Sequence, residues 1–558
     1  MTLVSESCLG RPRRLDCLWA GVRTTEPQTQ GSALASLYRR TLRPISSKVD
    51  SQFRNGHCQL GEGAGNLPGM NMPEIRLDSA DTAPLYRQVE ETLAAAIEDG
   101  RLGPGDRLPS ERALADQLGV SRTTTVTAYR ELEARGLVRG STGRGTFVCA
   151  ASPGGGASFA WQGKVAASAL RTVDHTLRSL VRGQDDGMIS FAGGMPALDQ
   201  FPIRAFQSRL QRVIDEGFLE ALGLGPTEGQ PALRQALAGR HEVPAERVMI
   251  LAGSQQGLDL VARCLVEPND VVIVDRPTYL GAIQVFRASG ARIVGWDARR
   301  ADLDELEDLF QRYRPKLMYT NPTFQNPTGR TLDLETRRGL LQLAARYRTA
   351  ILEDDPYSLL HLGRVPPPSL QALDTQGLVI YQSTFSKTMA AGLRVSWIVA
   401  PEAIIEQVAL VRQRADLFGG GAFQLVLAGM VADGSFDRHI ATLRGEHRRR
   451  LDAMNAALQR ELPHGAATWQ NVEGGLYLWV HAQRHLDARI LAQQAAALGV
   501  ELISGDHFFA DSGGRQDFRL CFTRNSPEII VAGVSRLAQA VRAVEALGSR
   551  MAESVPLP

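Results

Sequence analysis

Between residues 188 and about 545, short apolar runs rich in β-branched residues alternate with longer stretches of helical character. The runs that carry the strand pattern are RVMILAG, DVVIVDRP, ARIVGW, KLMYTN, AILEDD, LVIYQST and VSWIVAP. Helical segments such as QQGLDLVARCLV and LETRRGLLQLAARY separate most of them. This alternation predicts an α/β domain in which helices cover a mainly parallel sheet.

One lysine follows a predicted strand, in the stretch STFSKTMAAGLR at 383–394. The chain has 62 lysines and arginines, and only Lys48, Lys164, Lys316 and Lys387 are lysines. In a sequence so biased towards arginine, a lysine at this place indicates a task that a guanidinium cannot perform. Nucleophilic attack on a carbonyl is such a task, because an amine can lose its proton.

Other polar and aromatic residues follow the carboxyl ends of predicted strands, which is where ligands bind in α/β sheets. They are Tyr279, Asn326, Asp354 and Tyr357, and the loop GSQQG opens a predicted helix. Together with the lysine, this set suits pyridoxal phosphate, which needs an aldehyde-binding lysine and an acid at its ring nitrogen. The phosphate of that cofactor suits a helix N-terminus with hydroxyls and an arginine.

The motifs NPTG at 326–329, EDDPY at 353–357 and TFSKTMAAGLR at 384–394 resemble those of the class I aminotransferase family, the type I fold of pyridoxal-phosphate enzymes. FAGGMP, GPTEG, GSQQGLDL, PTYLGAIQVF, GGLYLW and FRLCFT resemble the other landmarks of the family, in the same order. The resemblance covers about residues 190–540 and implies a cofactor-binding domain over 188–545. It is nearest to the 2-aminoadipate and aromatic aminotransferase branch.

The resemblance implies a role for each residue around the cofactor ring. Lys387 would bind the aldehyde as a Schiff base and, as the catalytic residue, move a proton between substrate and cofactor. Asp354 would pair with the ring nitrogen, and Tyr279 would stack on the ring. Asn326 and Tyr357 would hydrogen-bond the phenolic oxygen.

Further matched positions would bind the phosphate and the substrate. The implied phosphate ligands are Ser254, Gln255, Thr384, Ser386 and Arg394. Arg519 would clamp a substrate carboxylate, and Gly194 would lie against the substrate. Leu224 departs from the pattern, because the family has a tyrosine there that reaches the cofactor phosphate of the neighbouring subunit. Leucine cannot hydrogen-bond a phosphate, so this departure argues against efficient transamination.

Residues 84–148 have a different pattern. PLYRQVEETLAAAIEDG predicts one helix, and SERALADQL and SRTTTVTAYRELEARG predict two more, capped by Ser110 and Ser121 and joined at Gly119. LVRGSTGRGTFV predicts two strands around a glycine-rich turn. The whole is similar to the GntR-type winged helix-turn-helix over 81–150, which implies binding to double-stranded DNA. The implied DNA contacts are Arg112, Ser121, Arg122, Thr123, Thr124, Arg144 and Gly145.

The remaining segments carry no periodic pattern of their own. Residues 1–72 are expected to be a disordered extension, with an organelle transit peptide or a later translation start at Met70 or Met72 as the alternatives. Residues 151–187, with SPGGGAS, are expected to form a linker. The six cysteines lack C-x-x-C spacing and no apolar run is long enough for a membrane span, which favours a cytoplasmic location.

A GntR-like winged helix followed by an aminotransferase-like domain is the architecture of the MocR-type regulators, in which the enzyme-derived domain serves as a sensor. The resemblance implies a bacterial transcription regulator. It would be a homodimer that binds a DNA operator and responds to pyridoxal phosphate and to an amino-acid or amine effector. Two alternatives stay open. One is a working aminotransferase that carries a DNA-binding domain. The other is a protein that uses the large domain only as a dimerisation scaffold, which the intact Lys387 and Arg394 argue against.

Overall fold

The computed structural model describes residues 84–141, 145–149, 187–483 and 486–553, together with residues 73, 75, 77, 164–166 and 169. The extension predicted over 1–72 lies outside these residues, as does most of the linker predicted over 151–187. The chain divides into two compact units, Met1–Ser158 and Phe159–Pro558. Within the described part of the chain, no helix is long and apolar enough to cross a membrane.

The described part of the first unit contains three helices and a small antiparallel sheet. Its helices are α1 (Leu85–Glu98), α2 (Glu111–Leu118) and α3 (Arg122–Ala134), and its strands are β1 (Arg107–Leu108), β2 (Val138–Ser141) and β3 (Gly145–Val148). The sheet order is β1-β3-β2. The helix-turn-helix and the two wing strands predicted from the sequence are therefore present. Strand β1 was not predicted, because two residues inside the turn cluster GPGDRLPS are too few to show a period.

Local hydrogen bonds fix the helix-turn-helix. The hydroxyl oxygens of Ser110 and Ser121 accept from the first turns of α2 and α3, as the predicted caps require. Gly119 ends α2 at φ 65°, a left-handed conformation that glycine adopts without strain. The Thr125 hydroxyl donates to the Glu111 carbonyl oxygen over 2.8 Å and so ties α3 to the start of α2.

The second unit opens with the short strand β4 (Ile189–Ser190) and is built on a seven-stranded sheet. The sheet strands are β5 (Val248–Leu251), β6 (Val271–Asp275), β7 (Arg292–Trp296), β8 (Leu317–Thr320), β9 (Ala350–Asp354), β10 (Val379–Thr384) and β11 (Ser396–Val399). They are the seven predicted strands, in the order β5-β11-β10-β9-β8-β6-β7. The neighbours from β7 to β10 pair in parallel, and β11 is antiparallel to β5 and β10. The predicted mainly parallel sheet is confirmed.

Helices cover both faces of this sheet, so its central strands are buried on both sides and appear as continuous apolar runs. The helices before β11 are α4 (Ile203–Leu222), α5 (Pro231–His241), α6 (Ser254–Leu265), α7 (Leu280–Ala288), α8 (Leu303–Tyr313), α9 (Leu334–Tyr347) and α10 (Leu370–Leu373). Those after it are α11 (Glu402–Gln413), α12 (Gly421–Ala432), α13 (Ser435–Glu461), α14 (Ala488–Ala497) and α15 (Pro527–Glu553).

A second sheet in this unit was not predicted. Its short strands are β12 (Ala467–Trp469), β13 (Tyr477–Ala482), β15 (Ile503–Ser504) and β16 (Asp517–Cys521). A separate two-stranded sheet is formed by β14 (Val500–Glu501) and β4. The order β12-β13-β16-β15 is antiparallel throughout. Strands β12 and β15, with three and two residues, are too short to show a period. This sheet carries the motifs GGLYLW and FRLCFT.

Candidate functional site

Lys387 lies on the turn after β10 and is half-buried. Its Nζ donates a hydrogen bond of 2.7 Å to the carbonyl oxygen of Gly194. A side chain at position 194 is excluded, because a Cβ there would lie 1.7 Å from the hydroxyl oxygen of Tyr477. Two segments far apart in sequence thus meet at the amine, and Gly194 is required for their close approach.

Asp354 is the last residue of β9 and is 5% exposed. Its carboxylate accepts hydrogen bonds from the Tyr319 hydroxyl (2.8 Å) and from Gln382 Nε2 (3.2 Å), which come from the two neighbouring strands. Burial raises the pKa of Asp354 to about 6, against the opposing effect of these two hydrogen bonds and of the Lys387 charge. A cation placed beside this carboxylate would favour its ionised form, so the position suits a protonated ring nitrogen.

We expect Asp354→Asn to stabilise the cofactor-free protein above about pH 6. Burial raises the pKa of Asp354 from 3.8 to about 6. The folded state therefore binds this proton more tightly than the unfolded state does, and it loses stability as the pH rises between these two values. Asparagine has no charge to desolvate, so the variant avoids this loss of free energy of unfolding, on the order of 1–3 kcal/mol.

Thermal unfolding of the cofactor-free protein from about pH 4 to about pH 8 measures this difference. The gap in melting temperature between variant and wild type should widen up to about pH 6 and then stay constant. Asp116→Asn is the matched control, because the Asp116 side chain is 76% exposed, and it should show no such gap. A gap that is independent of pH for Asp354→Asn would contradict this account.

Asn326 and Arg519 face each other in the same site, and both are nearly fully buried. Arg519 Nη1 donates to Asn326 Oδ1 over 2.6 Å, and this orients the amide so that its Nδ2 is the group left to donate to a ligand oxygen. Arg519 Nη2 donates to the Ala192 carbonyl oxygen, and its guanidinium lies 4.1 Å from the centre of the Tyr477 ring. Arg519 Nε has no hydrogen-bond partner among the described residues. A buried guanidinium with an unmatched donor suits a carboxylate ligand.

Two tyrosines complete the walls of the site. The Tyr279 hydroxyl donates to Gln255 Oε1 over 3.2 Å, and Gly281 leaves room for its ring, since a Cβ there would lie 2.5 Å from the ring. Tyr357 meets the Tyr477 ring edge-on, with 5.9 Å between ring centres. Burial raises the pKa of both Tyr279 and Tyr357 well above the usual value. Both hydroxyls are therefore neutral donors at neutral pH.

A cradle for an anion lies at the start of α6, where Ser254 is the first helical residue. Gly253 precedes it at φ 101°, and a Cβ there would lie 2.2 Å from Arg394 Nη2. Arg394 Nη2 donates to the Ala252 carbonyl oxygen over 2.7 Å, so the guanidinium lies beside the helix N-terminus. The partial positive charge of that end and the arginine both favour a phosphate. On the neighbouring turn the hydroxyls of Thr384 and Ser386 are 2.9 Å apart.

These residues fit pyridoxal phosphate. The structure brings an amine, a buried carboxylate, a free amide donor, neutral phenols and an anion cradle to the carboxyl ends of β5, β8, β9 and β10. The side chain of Gln255 bonds Tyr279 and Gly281, and its backbone N–H in the first turn of α6 is the group that suits a phosphate. Three residues were missed from the sequence, namely Tyr319, Gln382 and Tyr477. In the sequence, each of them is marked only by a polar group within an apolar strand motif.

In the first unit, two of the arginines predicted to contact DNA, Arg112 and Arg122, are solvent-facing. The side chains of Arg112 and Arg122 are 84% and 71% exposed, and their ion pairs with Asp116 (4.0 Å) and Glu111 (3.7 Å) are long. Such exposed pairs are worth little, so both guanidinium groups are available to a partner. Thr123 is also exposed.

The other predicted DNA contacts have structural roles or lie elsewhere. The Ser121 hydroxyl caps α3 by accepting from the Thr124 N–H, and it lies 2.9 Å from the Thr124 hydroxyl. Arg144 lies outside the described residues. Gly145 has φ 109°, and a Cβ there would lie 2.7 Å from Arg107 Nε. Arg107 was missed from the sequence, and it places an exposed cation beside the wing.

Two family models match the chain. The model of aminotransferase class I and II matches residues 188–536. The model of bacterial regulatory proteins, gntR family, matches residues 85–148.

Individual proteins are similar to this chain over most of their own lengths. The probable rhizopine catabolism regulatory protein MocR of Rhizobium meliloti is 30% identical over 85% of this chain and 97% of its own. The 2-aminoadipate transaminase of Thermus thermophilus is 34% identical over 70% of this chain and 99% of its own. The crystal structure of LysN, an alpha-aminoadipate aminotransferase from Thermus thermophilus, has a TM-score of 0.66 and 34% identity, and covers 69% of this chain and 99% of its own. The regulator thus covers a larger share of this chain than either aminotransferase does.

Proposed function

Because this chain belongs to the MocR-type regulators, which join a GntR-family helix-turn-helix to a class I and II aminotransferase domain, we propose that it binds a DNA operator and senses an amino compound. The observation that carries most weight is that one chain combines exposed arginines on a helix-turn-helix with an intact lysine site on a sheet. A protein that acts on genomic DNA works in the bacterial cytoplasm.

The second unit is the sensor in this proposal. Its homologues depend on pyridoxal phosphate, and this cofactor supplies an aldehyde and an electron-withdrawing ring. Lys387 would hold the aldehyde, Asp354 the ring nitrogen, and Asn326 with Tyr357 the phenolic oxygen. The N-terminus of α6 and Arg394 would bind the phosphate. Arg519 would bind the carboxylate of an amino-acid effector.

The proposed regulator is a homodimer built through the second unit. Large apolar side chains are exposed on two segments of its surface, with exposed fractions between 40% and 88%. They are Leu219, Leu222, Leu224, Leu417 and Phe423. The two segments adjoin, because a Cβ at Gly421 would lie 2.8 Å from the Ala221 carbonyl oxygen. A contiguous apolar patch of this kind is typical of a protein interface, and closed two-fold pairs are the commonest assembly.

Light scattering at micromolar concentration should give a dimer for the wild type and a monomer for the double variant Leu219→Glu, Leu222→Glu. Two carboxylates in this patch would have to be desolvated in the interface, which is costly. Ile529→Glu is the control, because Ile529 is also exposed (44%) but lies on α15. A monomeric wild type with the cofactor bound would contradict the proposal.

A second candidate function is that of a working aminotransferase, and the complete lysine site favours it. The relatives named as aminotransferases support it over the second unit alone. Leu224 opposes it, because this residue replaces a phosphate-binding tyrosine and its side chain is 88% exposed, with no polar group to offer a partner subunit. Multiple turnovers with an amino acid and a keto acid would support this alternative.

Selection of genomic DNA fragments by the purified holoprotein tests the proposal and identifies the operator. A regulator should enrich a small set of fragments upstream of genes, and Arg122→Ala should reduce this enrichment. Uniform recovery of fragments, independent of Arg122, would show that DNA binding is non-specific and would overturn the regulator function.

A further inference from the structure

A second cavity lies in the large unit, next to β10, and its volume is about 210 Å³. This equals the share of liquid volume of about seven water molecules. The walls come from α5, from α13 and from the segment after β9. Arg240 of α5 is exposed at its edge.

The cavity lies on the opposite side of β10 from Asp354. Gln382 points towards Asp354, as its hydrogen bond to that carboxylate shows. Side chains alternate along a strand, so Tyr381 and Ser383 point to the other face, where both line the cavity. Among the residues implied to bind pyridoxal phosphate, only Thr384 lines this cavity. It is therefore a separate site.

A buried carboxylate lines the cavity. Asp355 is 3% exposed, and its two oxygens accept hydrogen bonds from the Ser358 N–H (2.9 Å) and from the Tyr381 hydroxyl (3.1 Å). A carboxylate offers about four acceptor positions, so about two remain. Among the described residues, no lysine, arginine or histidine forms an ion pair with it. The buried guanidinium of Arg337 interacts electrostatically with Asp355, but its hydrogen bonds go to backbone carbonyl oxygens and to the Thr323 hydroxyl. A buried carboxylate without a directly bonded cation is costly, and a cationic ligand would offset this cost.

One part of the remaining wall suits the same ligand, because it is formed by the aromatic rings of Phe385, Trp397 and Phe436. Phe385 lies 5.0 Å from Trp397 and 5.3 Å from Phe436 between ring centres. Aromatic rings attract ammonium groups and also pack against alkyl chains.

The two basic residues at this cavity do not oppose a cation strongly. His241 Nε2 accepts a hydrogen bond from Trp397 Nε1 over 3.0 Å, and burial lowers the pKa of His241 to about 4. The imidazole is therefore neutral at neutral pH. Arg240 Nη1 contacts both carboxylate oxygens of Asp437, at 2.9 and 3.1 Å, so its charge is balanced.

We propose that this cavity binds a small organic ammonium ion, with its cationic nitrogen against Asp355 and its alkyl part against the aromatic walls. The occupant would also touch Phe385 and Thr388, which flank Lys387 in sequence. The Thr388 hydroxyl oxygen is buried without a hydrogen-bond partner among the described residues. Binding here would thus act on the turn that carries Lys387. This second site goes beyond the proposed function and does not depend on DNA binding.

Calorimetric titration of the holoprotein with three probes of matched size tests the proposal. The probes are butylammonium, 1-butanol and butyrate, and borohydride reduction first fixes the cofactor to Lys387 so that the amine cannot react there. Butylammonium should bind at least about tenfold more tightly than either of the other probes, because only its charge complements Asp355. Equal binding of butylammonium and butanol, or preferred binding of butyrate, would overturn the proposal.

Variants of two neighbouring buried carboxylates locate the site. Asp355→Asn should weaken butylammonium binding about tenfold or more, because a charge-assisted hydrogen bond is lost. Glu353→Gln is the matched control, since Glu353 is buried only two residues before Asp355, but its carboxylate accepts from the backbone of α10 and does not line the cavity. This control should bind as the wild type does.

The absorbance of the bound cofactor and the melting temperature show whether each variant folds. If Asp355→Asn does not fold, a crystal of the wild type soaked with butylammonium shows where the ion binds. We expect electron density for butylammonium beside Asp355, and density only beside Arg519 would contradict the proposal. Unchanged butylammonium binding by a folded Asp355→Asn variant would also contradict it.

Discussion

Replacement of Lys387 by alanine is expected to abolish covalent retention of pyridoxal phosphate. The amine of Lys387 lies 2.7 Å from the Gly194 carbonyl oxygen, and its charge acts on the buried carboxylate of Asp354. Without it no nucleophile remains at this place, so the visible absorbance of the bound cofactor should be lost after gel filtration. The variant should still fold and bind DNA, because the residues named for this site all belong to the second unit.

Lys316→Ala is the matched control, because Lys316 is exposed just before β8. It should retain the cofactor as the wild type does. Borohydride reduction followed by peptide mapping should place the cofactor on Lys387. A reduced cofactor found on Lys316 would show that the assignment of the site is wrong.

Replacement of Arg122 by alanine should weaken operator binding by about 1–3 kcal/mol, or roughly 5–150-fold, if its guanidinium contacts a base edge. Arg122 begins α3, the helix that enters the major groove in this motif, and its side chain is 71% exposed with only a long ion pair to Glu111. Fluorescence anisotropy with the selected operator measures the effect. The cofactor absorbance should not change.

Arg101→Ala is the control for this prediction. Arg101 is also an exposed arginine of the first unit, but it lies after α1 and pairs with Asp99. Its replacement should change operator affinity little. Equal losses for both variants would indicate a general charge effect and contradict a base contact by Arg122.

The sequence predicts the large sheet well because its strands are central and parallel. Strands β5, β8 and β10 are buried along their whole length and therefore appear as continuous apolar runs with helical stretches between them. The antiparallel sheet of β12, β13, β15 and β16 is different, because β12 and β15 have only three and two residues and show no pattern. Its existence depends on pairings such as Leu478 with Leu520, which are distant in sequence.

The candidate site was predictable where a residue's role follows from a motif at a strand end. Lys387, Asp354, Asn326 and Arg394 belong to this class, and their roles remain predictions that the variants test. Tyr477 could not be found in this way, because its importance comes from its approach to Gly194 and to Arg519, which lies on the neighbouring strand of the small antiparallel sheet. Arg107 was missed for a similar reason, because it lies beside Gly145 only through the pairing of β1 with β3, and β1 was not predicted.

Operator affinity measured with and without an amino-compound effector, on the same holoprotein whose turnover is assayed, tests the central claim most directly. A regulator couples the two sites, so an effector should shift operator affinity by about 1–3 kcal/mol, or roughly 5–150-fold, with slow or no turnover. Lys387→Ala should bind the operator but show no shift. Efficient transamination, with the same operator affinity in cofactor-free, cofactor-bound and amine-treated protein, would contradict the regulator and establish the aminotransferase instead.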